Sequence, residues 1–229
     1  MSNRSIHTLL KSWDEECPLT REEAVEVLNL PEEEMDSLME CAYALRTKYK
    51  GKKVSVQLLT NVRSGNCTQN CAYCAQSKDS QAEIEKYKRV SDEKLYGDND
   101  LVDEKHLARH CIGLSGIGFS DEEIEDLADR IREMKKKDTQ ICCSIGFLTE
   151  KQARILKDAG LDRINHNLNS SRSFYPEICT THTYDQRVNN IKMLQSLGFE
   201  ICSGGIVGMG ESKEDIVDML MDLREINPE

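Results

Sequence analysis

Three cysteines, Cys67, Cys71 and Cys74, fall within the stretch NVRSGNCTQNCAYCAQSKDS. A C-x3-C-x2-C spacing inside one loop can bring three thiolates to a common point. A cubic iron–sulfur cluster takes four cysteines, one for each iron. A trio therefore leaves one iron open to another molecule, much as a catalytic metal keeps an open position. Two other readings stand beside this one. A structural zinc ion could be completed by a distant residue such as His106 or His110, or the thiols could be incidental. The loop follows an apolar run directly and contains Gly65, which favours the cluster reading.

The elements that must position such a loop are legible around it. Short apolar runs, VSVQLLTNV (54–62), RHCIGLSG (109–116), QICCSIG (140–146), RINHNLN (163–169) and FEICSGGIVG (199–208), alternate with charged amphipathic segments. Strand, helix, strand, helix repeated in this way predicts a parallel sheet. Ser91, Ser120, Thr149 and Ser212 are suited to cap helix N-termini, and Gly160 and Gly198 to end two helices. Each apolar run leads into polar or glycine-rich residues: the cysteine loop, Ser115–Gly116, Ser144, Asn167 and Asn169, and Gly204 to Gly210. Chemistry gathered at the C-terminal ends of successive strands predicts a β/α (TIM-type) barrel. Five such units are visible where a closed barrel has eight, so the expected α/β architecture is a partial barrel over 51–229. Residues 1–50 read as an N-terminal helical segment, with a capping box at Thr20 and Glu23 and Pro31 in the first turn of a second helix.

Bulk properties narrow the class. The chain carries 30 Lys and Arg against 41 Asp and Glu, a net charge of −11, which argues against a duplex-binding surface built from clustered cations. The opening MSNRSIHTLLKSWDEEC has no apolar core of signal-peptide length, and no stretch approaches a membrane span. The expectation is a cytoplasmic protein, and ten cysteines in that reduced compartment point to metals or catalysis rather than disulfides.

The loop also carries an aromatic residue before its last cysteine. Cys67–Cys71–Tyr73–Cys74 resembles the signature of the radical S-adenosylmethionine enzymes. The resemblance implies a [4Fe-4S] cluster whose open iron binds the amino and carboxylate groups of S-adenosylmethionine, and reductive cleavage of that cofactor to methionine and a 5′-deoxyadenosyl radical. It places Tyr73 where the backbone contacts adenine. Two further stretches, NHNLNSSRSFYPEICTTHTYDQRV (165–188) and GFEICSGGIVGMGES (198–212), together with CAYCAQS (71–77), resemble the biotin synthases from residue 17 to the end. That likeness implies sulfur insertion into dethiobiotin, with a second, two-iron cluster as the sulfur source.

Carried over position by position, the likeness assigns Cys111, Cys142 and Cys202 to the second cluster, with Cys143 facing away by strand alternation. Without the resemblance, ordinary buried cysteines would be the simpler account of these three. It assigns Asn165 to the ureido ring of dethiobiotin and Asn167 to that ring or the cofactor ribose, roles suited to amides that both donate and accept. Asn169, His182, Gly205 and Gly208 fall at cofactor-binding positions, the glycines allowing close backbone approach. Two positions depart from the pattern: Asn169 stands where an aspartate is usual and His182 where an arginine is, so a bidentate fork is lost. The likeness further implies an electron donor such as flavodoxin or ferredoxin and allows a homodimer. It places three more strands, an arginine cluster ligand and another asparagine beyond Glu229, so that a lone 229-residue chain is expected to be inactive or poorly stable. The competing expectations are a relative running other radical chemistry, a shortened inactive homologue and a non-catalytic zinc-binding module.

Overall fold

In the computed structural model, residues 19–228 are described; the first part of the expected helical segment, with Trp13, lies outside them. Helix α1 (Arg21–Leu28) is opened by the reciprocal capping box of Thr20 and Glu23. Pro31 sits one step earlier than expected. It caps a 3-10 turn, Glu32–Glu34, and helix α2 (Met35–Lys50) follows. This position suits proline because its missing N–H is not called upon there. Helix α2 buries none of its residues, whereas α1 is tied to the far end of the chain by a bidentate Arg21–Asp218 pair and by Arg224 donating to the Leu19 carbonyl.

Five strands follow, β1 (Gln57–Arg63), β2 (Arg109–Leu114), β3 (Ile141–Ser144), β4 (Arg163–Asn165) and β5 (Glu200–Cys202), all parallel and in the spatial order of the sequence. Consecutive neighbours with no reversal of order are the winding of a β/α barrel, not of a doubly wound sheet. The chain is an α/β protein with an incomplete barrel. Between the strands lie α3 (Asp92–Glu104), α4 (Asp121–Met134), α5 (Glu150–Asp158), the single turn α6 (Tyr175–Ile178) and α7 (Tyr184–Ser196); α8 (Lys213–Ile226) follows β5. Strands β2 to β5 are shorter than their apolar runs because the C-terminal residues leave the ladder to form the rim.

Caps fall where their side chains suggest. The hydroxyls of Ser91, Ser120, Thr149 and Ser212 accept from the backbone N–H three residues on, each worth about 1 kcal/mol. Gly160 and Gly198 take left-handed φ values of 95° and 77° at the ends of α5 and α7. On α4, Ile124, Leu127, Ala128, Ile131 and Met134 recur every three or four positions and are all buried. They meet the outward face of the strands, where Ile112, Ile141, Cys143, Ile164 and Ile201 are at most 2% exposed. Burial of each large side chain contributes roughly 1.5–3 kcal/mol, so this helix–sheet layer holds the unit together.

The register sorts the opposite, concave face into rows. Asn61, Gly113, Ser144, Asn165 and Cys202 are register partners from β1 to β5. One pleat lower, Leu59, Cys111, Cys142, Arg163 and Glu200 form a second row. Layers of inward side chains of this kind fill the interior of a β/α barrel.

Candidate functional site: a cysteine-lined cavity at the strand ends

The cysteine loop leaves the end of β1 and is laced to the segment after α6. The Ala72 N–H donates to the Ile178 carbonyl at 2.9 Å, and the Thr180 N–H donates to Asn70 Oδ1 at 3.1 Å. Ser115 Oγ donates to the Gly65 carbonyl at 2.6 Å and fixes the start of the loop. Cys67, Cys71 and Cys74 thereby line one cavity of about 300 Å³ over the C-terminal ends of the strands. Tyr73, Asn165, Asn167, Asn169 and His182 line the same cavity. Gly205 and Gly208 do not.

Gly205 has a different local reason to be glycine: a Cβ there would stand 1.9 Å from Met219 Sδ on α8. Gly208, at φ +98°, lies in a turn whose Gly208 and Met209 N–H groups donate to the Glu211 carboxylate. Asn169 also takes a left-handed φ, 72°, which asparagine tolerates better than most residues.

Several groups at the cavity have polar atoms awaiting a partner. Asn169 Nδ2 and His166 Nε2 are both buried and without a hydrogen bond. Arg187, on the first turn of α7, uses three of its donors internally, on the Tyr175 hydroxyl, the Asn167 carbonyl at 3.2 Å and His182 Nε2 at 2.8 Å. A guanidinium has five N–H groups, so two remain for a ligand. His182 is committed within the protein: Nε2 takes up Arg187 and Tyr175, and Nδ1 stands 2.9 Å from Gln69 Oε1. The charge near His182 that faces the cavity is thus carried by Arg187.

A single zinc ion suits the trio poorly. Tetrahedral Zn–S bonds of about 2.3 Å put sulfurs less than 4 Å apart, but Cys67, Cys71 and Cys74 do not form a set with all sulfurs within 4.8 Å. Wider spacing is what one iron per thiolate needs. His110 cannot complete a zinc site either. It is fully buried on the helix side of the sheet, with Nε2 2.8 Å from Thr60 Oγ1 and Nδ1 3.2 Å from Asn99 Oδ1. Among the described residues, the set of soft donors that does converge is Cys71, Cys179 and His182.

The second row holds the other predicted cysteines. Cys111 and Cys142 are register partners on β2 and β3, and Cys202 ends β5 one pleat higher, with Asn165 Nδ2 donating to its sulfur at 3.6 Å. Cys143 points the opposite way into the core at 0% exposure. The hydrogen bond from Cys142, helped by the charges of Arg109 and Arg163, pulls the Cys111 thiol down to about 7, while the same pairing pushes Cys142 up. Arg109 Nε is buried without a hydrogen-bond partner, and Arg163 pairs with Glu200 at 2.6 Å. Thiols beside cations favour the thiolate, the form that binds iron.

Four functional features escape a reading of the chain alone: Cys179, His166, Arg187 and the Arg163–Glu200 pair. His166 alternates with the two asparagines already singled out, and Arg187 follows the Thr183–Gln186 capping box by one residue, so both had a local signal. Cys179 and the ion pair depend on contacts between distant segments.

Residues 61–223 match the radical SAM superfamily, about 70% of the chain. The chain belongs to the radical SAM superfamily. Membership implies a four-iron cluster and bound S-adenosylmethionine, and the cavity's donors fit both: three spaced thiols, two free guanidinium N–H groups and the unpartnered Asn169 amide. Among curated relatives, the chain is 40% identical over 210 residues to biotin synthases of Geobacillus kaustophilus, Rhodopirellula baltica and Bacillus subtilis. These matches cover 91% of this chain and 63%, 58% and 63% of the relatives, so the chain spans about 60% of their length. Among solved structures, methylornithine synthase superposes with a TM-score of 0.84 at 16% identity, over 97% of this chain and 64% of that one. The FeFe-hydrogenase maturase HydG of Carboxydothermus hydrogenoformans gives 0.79 at 19%, over 96% and 53%. At such identities the likeness is one of fold. No helix among the described residues is long and apolar enough to cross a membrane.

Three buried histidines, His110, His166 and His182, set a pH dependence for this radical SAM chain. Burial, outweighing nearby Asp98, pushes His110 down to about 4. Burial and the Arg187 charge push His166 down to about 3 and His182 down to about 4. In the unfolded chain all three titrate near 6.5. Below that pH the unfolded state takes up protons that the folded state refuses, so stability is full above about 6.5 and falls as pH drops. The slope is about 1.4 kcal/mol per pH unit for each imidazole. Urea unfolding of the metal-free chain at pH 7 and pH 5 is expected to show this loss, and His166→Phe to lessen it. An unchanged midpoint would contradict the assignment.

Proposed function

We propose that this chain is the cluster-bearing part of a biotin synthase, inserting sulfur into dethiobiotin. The observation that carries the reading is vertical. Cys111, Cys142 and Cys202 face the concave side of β2, β3 and β5, beneath a cavity lined by Cys67, Cys71 and Cys74. A radical SAM enzyme without a sulfur-donating centre has no need of that second set. When bound, the first cluster and S-adenosylmethionine supply a 5′-deoxyadenosyl radical, and the second cluster supplies sulfur.

The chain's own residues then have distinct tasks. Cys67, Cys71 and Cys74 hold the first cluster at the rim and leave one position vacant. Arg187 offers two N–H groups to the cofactor's carboxylate, and Asn169 offers its amide to the ribose. His182 orients Arg187, and Tyr73 borders the cofactor. Asn165 stands in the row just above Cys111 and Cys142, and with Asn167 presents amide donors and acceptors that match a cyclic urea. The substrate would thus lie between the radical source above and the sulfur source below. Further strands, whether in the same chain or a partner, would close the barrel between β5 and β1 and exclude water. Electrons would come from a donor such as flavodoxin or ferredoxin.

Iron and sulfide analysis after anaerobic reconstitution tests this. Two clusters correspond to six irons per chain. Cys142→Ala is expected to leave four, with the first cluster intact. A wild-type chain that saturates at four irons and never exceeds that of Cys142→Ala would overturn the sulfur-donor reading.

A further inference from the structure

The trio of cysteines at the rim has a fourth thiol behind it. Cys179 Sγ lies 3.8 Å from Cys71 Sγ, although 108 positions separate the two in sequence. Their backbones are latched side by side. Besides the Ala72–Ile178 and Thr180–Asn70 hydrogen bonds, Asn70 donates from its backbone N–H to Thr181 Oγ1 at 3.3 Å and from Nδ2 to Thr180 Oγ1 at 2.7 Å. A disulfide needs sulfurs about 2.05 Å apart. Here the two sulfurs need to close by less than 2 Å. Cys71 lines the cavity, whereas Cys179 does not and is 3% exposed.

We propose that Cys71 and Cys179 are a disulfide-forming pair in the iron-free protein. A low-molecular-weight disulfide entering the cavity meets Cys71 first. The Cys71 thiol gives up its proton as its sulfur attacks one sulfur of that molecule, forming a mixed disulfide and expelling one small thiolate, which takes up that proton. The Cys179 thiolate then attacks the Cys71 sulfur and expels the second. The protein loses two thiol protons and two electrons, and the small disulfide is reduced to two thiols that take up those protons. The pairing itself needs no cluster. Its consequence does rest on Cys71 being an iron ligand: once tied to Cys179, Cys71 is withdrawn from the trio, and iron cannot be loaded until a reductant reopens the pair.

A metal ion shared by Cys71, Cys179 and His182 is the rival use of the same atoms. It is disfavoured by His182, whose Nε2 accepts from Arg187 and whose Nδ1 then carries hydrogen toward Gln69. Nδ1, the nitrogen facing Cys179 at 3.3 Å, has no lone pair to give in that tautomer.

The test treats the iron-free chain with oxidised glutathione, alkylates remaining thiols and maps the digest by mass spectrometry. A Cys71–Cys179 cross-linked peptide is expected, with no glutathione retained on Cys71. Cys179→Ser should trap the glutathione adduct on Cys71 instead. A stable adduct on wild-type Cys71, a cross-link from Cys71 to Cys67 or Cys74, or one tightly held zinc per chain that Cys179→Ser releases would each overturn the proposal. Iron loading is followed separately: it should fall at least tenfold after glutathione treatment and return with dithiothreitol. If the cross-link forms and iron loading is unaffected, the pair stands and the ligand role of Cys71 fails.

Discussion

Alanine at Cys67, Cys71 or Cys74 is expected to remove the first cluster from the reconstituted chain, cutting bound four-iron cluster at least tenfold. The three thiols stand on one loop, and each would hold a separate iron. Loss of one leaves two attachment points and a second vacant iron open to solvent, which strips the cluster. Folding should be spared more than iron binding is. Cys67 and Cys74 are only half-buried, and even buried Cys71, which burial and neighbouring Cys179 push up to about 12, packs as a small apolar residue. Iron analysis and visible absorption on the three variants check this, with circular dichroism as the control for folding. Serine at Cys179 should leave iron content unchanged, separating the trio from its neighbour.

Arg187→Met is expected to weaken S-adenosylmethionine binding by about 100-fold, or roughly 2.7 kcal/mol, while changing folding stability by less than about 2 kcal/mol. Two large terms oppose each other in the unliganded chain. The substitution deletes three hydrogen bonds, each worth roughly 1.5–3 kcal/mol when one partner is charged. It also relieves the cost of holding a half-buried cation partly out of water, whose hydrogen-bond partners (Tyr175, His182 and the Asn167 carbonyl) are all neutral. With an anion bound, the cation is compensated and only the loss remains. Ligand affinity should therefore fall while stability nearly holds, a split that a purely structural arginine would not produce. Equilibrium dialysis with S-adenosylmethionine, alongside urea unfolding, measures both. A large loss of stability with unchanged affinity would contradict the assigned role.

Much of the fold was legible because strand alternation and helix spacing are local. Cys142 and Cys143 show this within two residues: one faces the concave side and the other the core, as a two-residue period requires. Caps such as Ser120 and Thr149 were equally local. The rows of the concave face were not, because register depends on how separate strands stagger, so Arg163 and Glu200 gave no sign that they would pair beside Cys142. The site divides the same way. The cysteine trio announces itself by spacing, and the asparagines by their position at a strand end. His182 was readable as a departure but not as the partner of Arg187, since that role arises only when α7 folds back over the cavity. Cys179 lay in plain view inside a quoted segment, yet only the lacing of residues 70–72 to 178–181 brings it to Cys71.

Electron paramagnetic resonance of the reduced, iron-loaded chain, recorded with and without S-adenosylmethionine, tests the central claim most directly. An iron left without a protein ligand must change its surroundings when the cofactor's amino and carboxylate groups take the vacant position. A shifted signal that disappears in Cys71→Ala is the predicted result. Superimposable spectra with and without S-adenosylmethionine, from a chain carrying its full complement of iron, would contradict it.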